Sequence, residues 1–80
     1  MKLPRNLDGD ELVRRLKRFG YETTRQTGSH IRLTRISEDG EQHITIPNHA
    51  PLRIGTLNSI LTDIATQLKM DKETLLKQLI

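Results

Sequence analysis

The 80-residue sequence contains no cysteine and no tryptophan, and its only aromatic residues are Phe19 and Tyr21. Without cysteine, neither a disulfide framework nor a thiolate metal site is available, and folding requires no oxidising compartment. Two aromatic side chains do not make a platform on which successive bases of a single strand would stack. We therefore expect a cytoplasmic protein, and we disfavour base stacking as its mode of nucleic-acid binding.

The sequence also lacks a long apolar run. No stretch approaches the roughly 20 apolar residues of a membrane span, and none follows the basic residues near the start. We therefore expect a soluble chain with no membrane partner and no targeting segment. No linker or internal repeat divides the 80 residues, so we predict a single domain over residues 1–80. Its core is expected at about 7–67 and a helical extension at 71–80.

Positive charge is concentrated in the first part of the chain. Residues 1–35 carry nine lysines and arginines against four acids, whereas residues 36–80 have a net charge of −2. A basic half suggests a polyanionic partner such as nucleic acid, although basic proteins without such partners are common. No Gly-rich phosphate loop is present, and the chain is too short for a separate cofactor domain. We expect no cofactor.

A first helix is predicted after Asp8. Apolar residues recur at helical spacing over about eleven residues, and Gly20 is suited to the left-handed conformation that ends a helix. Asp8 and Glu11 have the spacing of a capping box, in which each side chain accepts a hydrogen bond from a free amide of the first turn.

Two further helices are predicted near the C-terminus. Apolar residues at spacings of three and four predict an amphipathic helix over about Ile54–Gln67, with either Arg53 or Gly55 as its cap. We expect Gly55 to serve as a cap or to allow another backbone segment to approach closely. Asp71 is predicted to cap a last short helix.

Between the first two helices the periodicity changes to two residues and predicts three strands. These are Tyr21–Gln26, a polar edge strand, then Ser29–Ile36 after a turn at Thr27-Gly28, and finally Gln42–Ile46, which Pro47 ends. An Asp-Gly pair marks the hairpin between the second and third strands. Helices packed on one side of an antiparallel sheet, an α+β fold, would bury every apolar stripe.

The apolar residues also predict the strand register. If they share the buried face, Leu33 lies opposite Ile44 and Ile31 opposite Ile46. His30 then lies opposite Pro47, which brings the start of the second strand beside Asn48-His49. The other face of the sheet is left open. It carries His30, Arg32, Thr34, His43 and Thr45.

If the polyanionic partner is RNA, its cleavage without a metal would require a base for the 2′-hydroxyl proton, an acid for the leaving 5′-oxygen and a cation near the phosphorus. Histidine titrates near neutral pH, so His30 is suited to act as base or acid. Arg32 on the same face, or Arg25, is a candidate cation. His49 is a candidate second proton carrier only if the predicted register is correct, and it otherwise stabilises its loop. Gly28 and Ser29 support the turn that presents His30.

The sequence favours neither a catalytic role for His43 nor a metal site formed by the histidines. His43 is most simply a solvated strand residue. The three histidines lack the spacing of ligands on a helix, and no carboxylate lies near them in the pattern of a metal site. We therefore predict no metal site.

The order of one helix, three strands and one helix resembles the double-stranded-RNA-binding domain. Three blocks narrow this resemblance: Arg25–His30, Ile44–His49 and Gly55–Leu61 look like the signature blocks of the HicA family of bacterial toxins. The resemblance covers roughly residues 7–65. It implies an mRNA interferase, a ribonuclease that acts on mRNA, with His30 as the catalytic histidine. It also implies a HicB antitoxin as partner, which we expect to bury His30.

Several arginines are candidates for RNA binding. In a domain of this type the first helix lies against the ligand, although a basic helix face is most simply a solvated one. Two alternative functions remain open: an RNA-binding module that does not cleave, and a protein-interaction domain. The RNA-binding candidates are Arg14, Arg15, Arg18, Arg25 and Arg32.

Overall fold

The computed structural model describes residues 2–80. Helix α1 covers Gly9–Leu16 and continues as a 3-10 turn over Lys17–Phe19. The remaining elements are β1 (Glu22–Thr27), β2 (His30–Ser37), β3 (Gly40–Pro47), α2 (Ile54–Leu68) and α3 (Lys72–Leu79). The predicted α+β fold, with a three-stranded antiparallel sheet and a short additional C-terminal helix, is confirmed. Within residues 2–80, none of the helices combines the length and apolar character that a membrane crossing requires.

The sheet has the order β1-β2-β3, with β2 in the centre. The predicted register of β2 and β3 is confirmed: Leu33 lies opposite Ile44, Ile31 opposite Ile46, and His30 opposite Pro47. A slip of one residue would turn the apolar side chains to solvent, which is why the pattern determines the register. β3 is longer than predicted, because a two-residue turn at positions 38–39 lets pairing start at position 40.

One hydrophobic core joins the buried face of the sheet to the helices. Tyr21, predicted as the first residue of a polar strand, instead lies just before β1 and is fully buried, and its hydroxyl donates to Gln67 Oε1 at 2.6 Å. Gln67 Nε2 in turn donates to the His43 carbonyl oxygen at 2.9 Å, so α2 is tied to the outer edge of β3. The other fully buried large side chains are Leu12, Leu16, Leu33, Ile46, Leu57, Leu61, Ile64 and Leu75.

Two expectations about helix ends are wrong. The Asp8 side chain makes no capping hydrogen bond, and the Glu11 carboxylate accepts hydrogen bonds from Arg14 and Arg15 instead. Both oxygens of the Glu11 carboxylate are therefore engaged by arginines on the next turn, and the capping box does not form. Gly55 is neither a cap nor a close approach, because Arg53 is the N-cap of α2 and the space where a Gly55 Cβ would lie is empty.

The other helix ends are as predicted. Gly20 has a φ of 93° and ends the 3-10 turn that follows α1. Asp71 caps α3, and its side chain accepts a hydrogen bond from the Thr74 amide at 2.8 Å. This bond, together with one from the Thr74 hydroxyl, lowers the pKa of the Asp71 carboxyl, because hydrogen bonds to a carboxylate favour its charged form.

Candidate functional site on the open face of the sheet

His30 is the first residue of β2 and is exposed. The turn before it consists of Gly28 and Ser29, and Gly28 has a φ of 55°, a left-handed conformation that side chains with a Cβ rarely adopt. Thr27 and His30 pair across this turn. Successive side chains of a strand lie on opposite faces of the sheet. His30 therefore lies on the face opposite the buried Ile31 and Leu33.

A β-bulge in β1 places two side chains opposite one on β2. Leu33 pairs with Thr23, and Arg32 pairs with Arg25, so Thr24 is the additional residue. A bulge breaks the alternation of side chains. Thr24 and Arg25 therefore both line a shallow cleft of about 410 Å³ on the open face of the sheet, next to Arg32.

Arg25 and Arg32 are thus cross-strand neighbours of the same charge. Both residues are exposed. Within residues 2–80, neither guanidinium forms an ion pair with a carboxylate. Arg32 is two residues from His30, which corresponds to about 6.6 Å along a strand. The structure therefore brings together three of the predicted site residues at one end of the sheet.

The other end of the cleft is acidic and hydrogen-bonded. Thr34 Oγ1 lies 2.8 Å from Thr24 Oγ1 and 3.0 Å from His43 Nδ1. His43 Nε2 lies 3.5 Å from Glu41 Oε1. His43 is therefore held by neighbours on both ring nitrogens. Since it lies opposite Thr34, it is four strand residues, or about 13 Å, away from His30.

The segment after β3 is attached to both the site and α1. The Asn48 amide donates to the Ser29 carbonyl oxygen at 2.6 Å, and the Gly9 amide donates to the His49 carbonyl oxygen at 2.9 Å. The predicted proximity of the start of β2 to Asn48-His49 is confirmed at the level of the backbone. His49 itself is exposed. Through these two bonds, the segment after β3 connects the backbone next to His30 to the first residue of α1.

The arginines of α1 and of the 3-10 turn that follows it have other partners. Arg15 Nη1 donates to the Leu79 carbonyl oxygen at 3.0 Å, and Arg18 Nη2 donates to the Gln78 carbonyl oxygen at 2.9 Å. Both bonds satisfy carbonyls at the C-terminal end of α3, where positive charge is favourable. Arg14 is exposed and bonds to Glu11. Hydrogen bonds from Arg14 and then Arg15 lower the pKa of the Glu11 carboxyl.

Two residues of this arrangement were not predicted. Thr24 reaches the open face only because of the bulge, and a bulge in a polar strand leaves no mark in the hydrophobic pattern. Gly9 contacts the segment after β3 so closely that a Cβ would lie 2.2 Å from the Pro47 carbonyl oxygen. A glycine at the first position of a helix is the available signal, since it is a poor helix former.

The fold and the open face define a class of protein: a small α+β domain whose sheet carries an exposed histidine beside two exposed arginines. The model of the family described as "HicA toxin of bacterial toxin-antitoxin" matches residues 9–65. The chain belongs to this family and is a toxin of the toxin–antitoxin type. Neither a curated protein nor a solved structure matches it significantly.

Proposed function

We propose that the chain is a metal-independent endoribonuclease that cleaves mRNA, with His30 as a general acid or base. The observation that supports this most directly is the position of His30 on a chain of the HicA family: it is exposed at the start of β2, beside Arg32 and near Arg25. Histidine is the side chain most often used as a general acid or base. A phosphate next to it would lie in a cationic environment.

In the proposed reaction a base takes the proton of a ribose 2′-hydroxyl, and the 2′-oxygen attacks the adjacent phosphorus. The bond from phosphorus to the 5′-oxygen breaks, and an acid gives that oxygen a proton. Negative charge builds on the phosphate oxygens, and Arg32 or Arg25 would stabilise it. His30 performs one of the two proton transfers.

His49 is the better candidate for the second proton transfer. Its segment is hydrogen-bonded to Ser29, the residue before His30. His43 is bonded to Thr34 and faces Glu41, and its distance along the sheet separates it from any phosphate that His30 contacts. We therefore assign His43 no part in the reaction.

The test is incubation of RNA with the wild type and with His30→Ala in the presence of a chelator. The wild type is expected to cleave and His30→Ala is not, with nearly unchanged melting by circular dichroism because the side chain is exposed. His43→Ala, another exposed histidine of the same face, is the matched control and keeps its activity. Salt-dependent RNA binding without cleavage would indicate a binding module, and no RNA binding at low salt would indicate a protein-interaction domain.

The partner proposed for the toxin is a HicB antitoxin that covers the open face of the sheet and buries His30. An acidic inhibitor would be attracted to Arg25 and Arg32, which lack ion pairs of their own in residues 2–80. A complex in which His30 remains fully open would contradict this arrangement.

A further inference from the structure

We propose that single-stranded RNA reaches His30 across the open face of the sheet, with its backbone phosphates held by the Arg25–Arg32 pair, and not across the α1 face. The inference rests on the proposed function and specifies its substrate class and its binding surface. Four features of the structure support it.

The first feature is the pair of like charges. Arg25 and Arg32 are direct cross-strand neighbours, and like charges at such positions destabilise a sheet. The two acidic side chains that line the cleft, Glu22 and Glu41, make no ion pair with either guanidinium. An anion placed between the two guanidinium groups would remove the repulsion. Guanidinium groups also match the geometry of phosphate oxygens, because each can donate two parallel hydrogen bonds.

The second feature is the distribution of charge along the cleft. The end next to His30 carries the two arginines, whereas the far end carries Glu22 and Glu41 beside His43. A polyanion is repelled from the far end and attracted to the near end. The place where phosphates would bind is therefore adjacent to His30, at a separation along β2 comparable to that of successive phosphates in an extended strand.

The third feature is that Arg15 of α1 and Arg18 of the following 3-10 turn already have hydrogen-bond partners. Arg15 and Arg18 each donate to a carbonyl at the end of α3, and Leu75 and Leu79 of α3 are buried in the core. A phosphate that binds Arg15 and Arg18 would therefore compete with these bonds for the donors and the orientation of the two guanidinium groups. Among the residues that the structure describes, the side chains of Arg25 and Arg32 donate to no such partner.

The fourth feature is the shape and chemistry of the face. It is narrow, since it consists of three strands. Beside its arginines, threonines, glutamates and His43, its cleft is lined by the exposed Ile36, and neither Phe19 nor Tyr21 lines it to stack a base. Cleavage by the 2′-hydroxyl requires the 2′-oxygen, the phosphorus and the 5′-oxygen to align, which the regular geometry of an A-form duplex prevents. A flexible single strand that is held by its phosphates needs no stacking platform, and it can bend until the three reacting atoms align.

The experiment uses the full chain with His30→Ala and a short 2′-O-methylated oligonucleotide, which cannot be cleaved. Binding is measured by fluorescence anisotropy over a series of salt concentrations, with the oligonucleotide single-stranded or annealed to its complement. Arg25→Gln/Arg32→Gln is expected to lower single-strand affinity roughly tenfold or more and to reduce the salt slope by about 1.4, the value for two phosphate contacts. Its melting temperature should not fall, because a repulsion is removed.

The matched control is Lys2→Gln/Arg5→Gln, which removes the same charge from a separate cleft formed with Leu76 and Ile80. It should change the affinity by less than a factor of about two to three, since only long-range attraction is lost. If instead Arg14→Gln weakens binding while the sheet variant does not, or if the duplex binds more tightly, the inference is overturned.

The two proposals fail separately. Binding that depends on Arg25 and Arg32, with no cleavage by the wild type, would refute the ribonuclease but support the surface. Cleavage that depends on His30, with binding that is unaffected by the sheet variant, would refute the surface but leave the ribonuclease.

Discussion

Replacing Gly9 with alanine tests whether the first residue of α1 lies directly against the segment after β3. A Cβ atom at this position would lie 2.2 Å from the Pro47 carbonyl oxygen and 3.2 Å from the Asn48 Cα atom. Both are backbone atoms, so no side-chain rotation relieves the overlap, and one of the two segments has to move. The hydrogen bond from the Gly9 amide to the His49 carbonyl oxygen, 2.9 Å long, would be disturbed by the same movement.

The expected loss of stability combines two effects. Inserting an additional methyl group into a packed site costs about 1–3 kcal/mol. Alanine gains up to about 0.5–1 kcal/mol over glycine within a helix, and less at the first residue. The net change is therefore a destabilisation of about 1–2 kcal/mol. For a domain of this size, 1 kcal/mol lowers the melting temperature by about 4–8 °C, which gives a decrease of roughly 5–15 °C.

The measurement is thermal unfolding by circular dichroism, with Gly55→Ala as the matched control. Gly55 also lies in the first turn of a helix, but a Cβ there meets no atom within 4 Å, so this variant should melt at or slightly above the wild-type temperature. Equal behaviour of the two variants would refute the contact. Because Pro47 lies opposite His30, Gly9→Ala should also reduce RNA cleavage at temperatures where the protein remains folded.

Three further outcomes are expected. His30→Ala abolishes cleavage of RNA in chelator while its melting temperature stays within about 2–4 °C of the wild type, since exposed substitutions change stability little; residual cleavage would contradict the assignment. Tyr21→Phe loses the hydrogen bond to Gln67 and about 0.5–1.5 kcal/mol in urea unfolding. Burial raises the pKa of Tyr21 above 10.0, so wild-type stability falls as pH rises above about 10, and Tyr21→Phe should not share this fall. Asp71→Ala should lower the melting temperature more than Asp8→Ala, because only Asp71 makes a capping bond; the opposite order would refute the assignment of the caps.

The sheet and its register were predictable because Ile31 and Leu33 of β2 alternate with polar residues in step with Ile44 and Ile46 of β3. Ile36, which is out of step with them, is exposed on the open face. The site around His30 followed from the same alternation, since a histidine beside the buried Ile31 must lie on the other face. The bulge at Thr24 and Arg25 was not predictable, because both faces of an edge strand without apolar residues look alike in sequence. The capping box failed because Glu11 has arginines one turn away that compete for its carboxylate. The hydrophobic pattern therefore predicted the strands and their register. It did not predict the bulge in β1 or the hydrogen bonds at the start of α1, which depend on polar residues.

The C-terminal helix explains why basic residues on α1 and on the sheet differ in what they can bind. The family match ends at residue 65, before α3 begins, so the bonds from Arg15 and Arg18 to the end of α3 belong to this extension. They fix two of the positive charges on α1 against carbonyl groups and leave the Arg25–Arg32 pair, next to His30, as cross-strand cations without an ion pair in residues 2–80. A hydrogen bond to a neutral carbonyl leaves the guanidinium charge in place but occupies its donors and fixes its orientation. We therefore expect phosphate oxygens to be bound by the sheet guanidinium groups, on the face that carries the histidine.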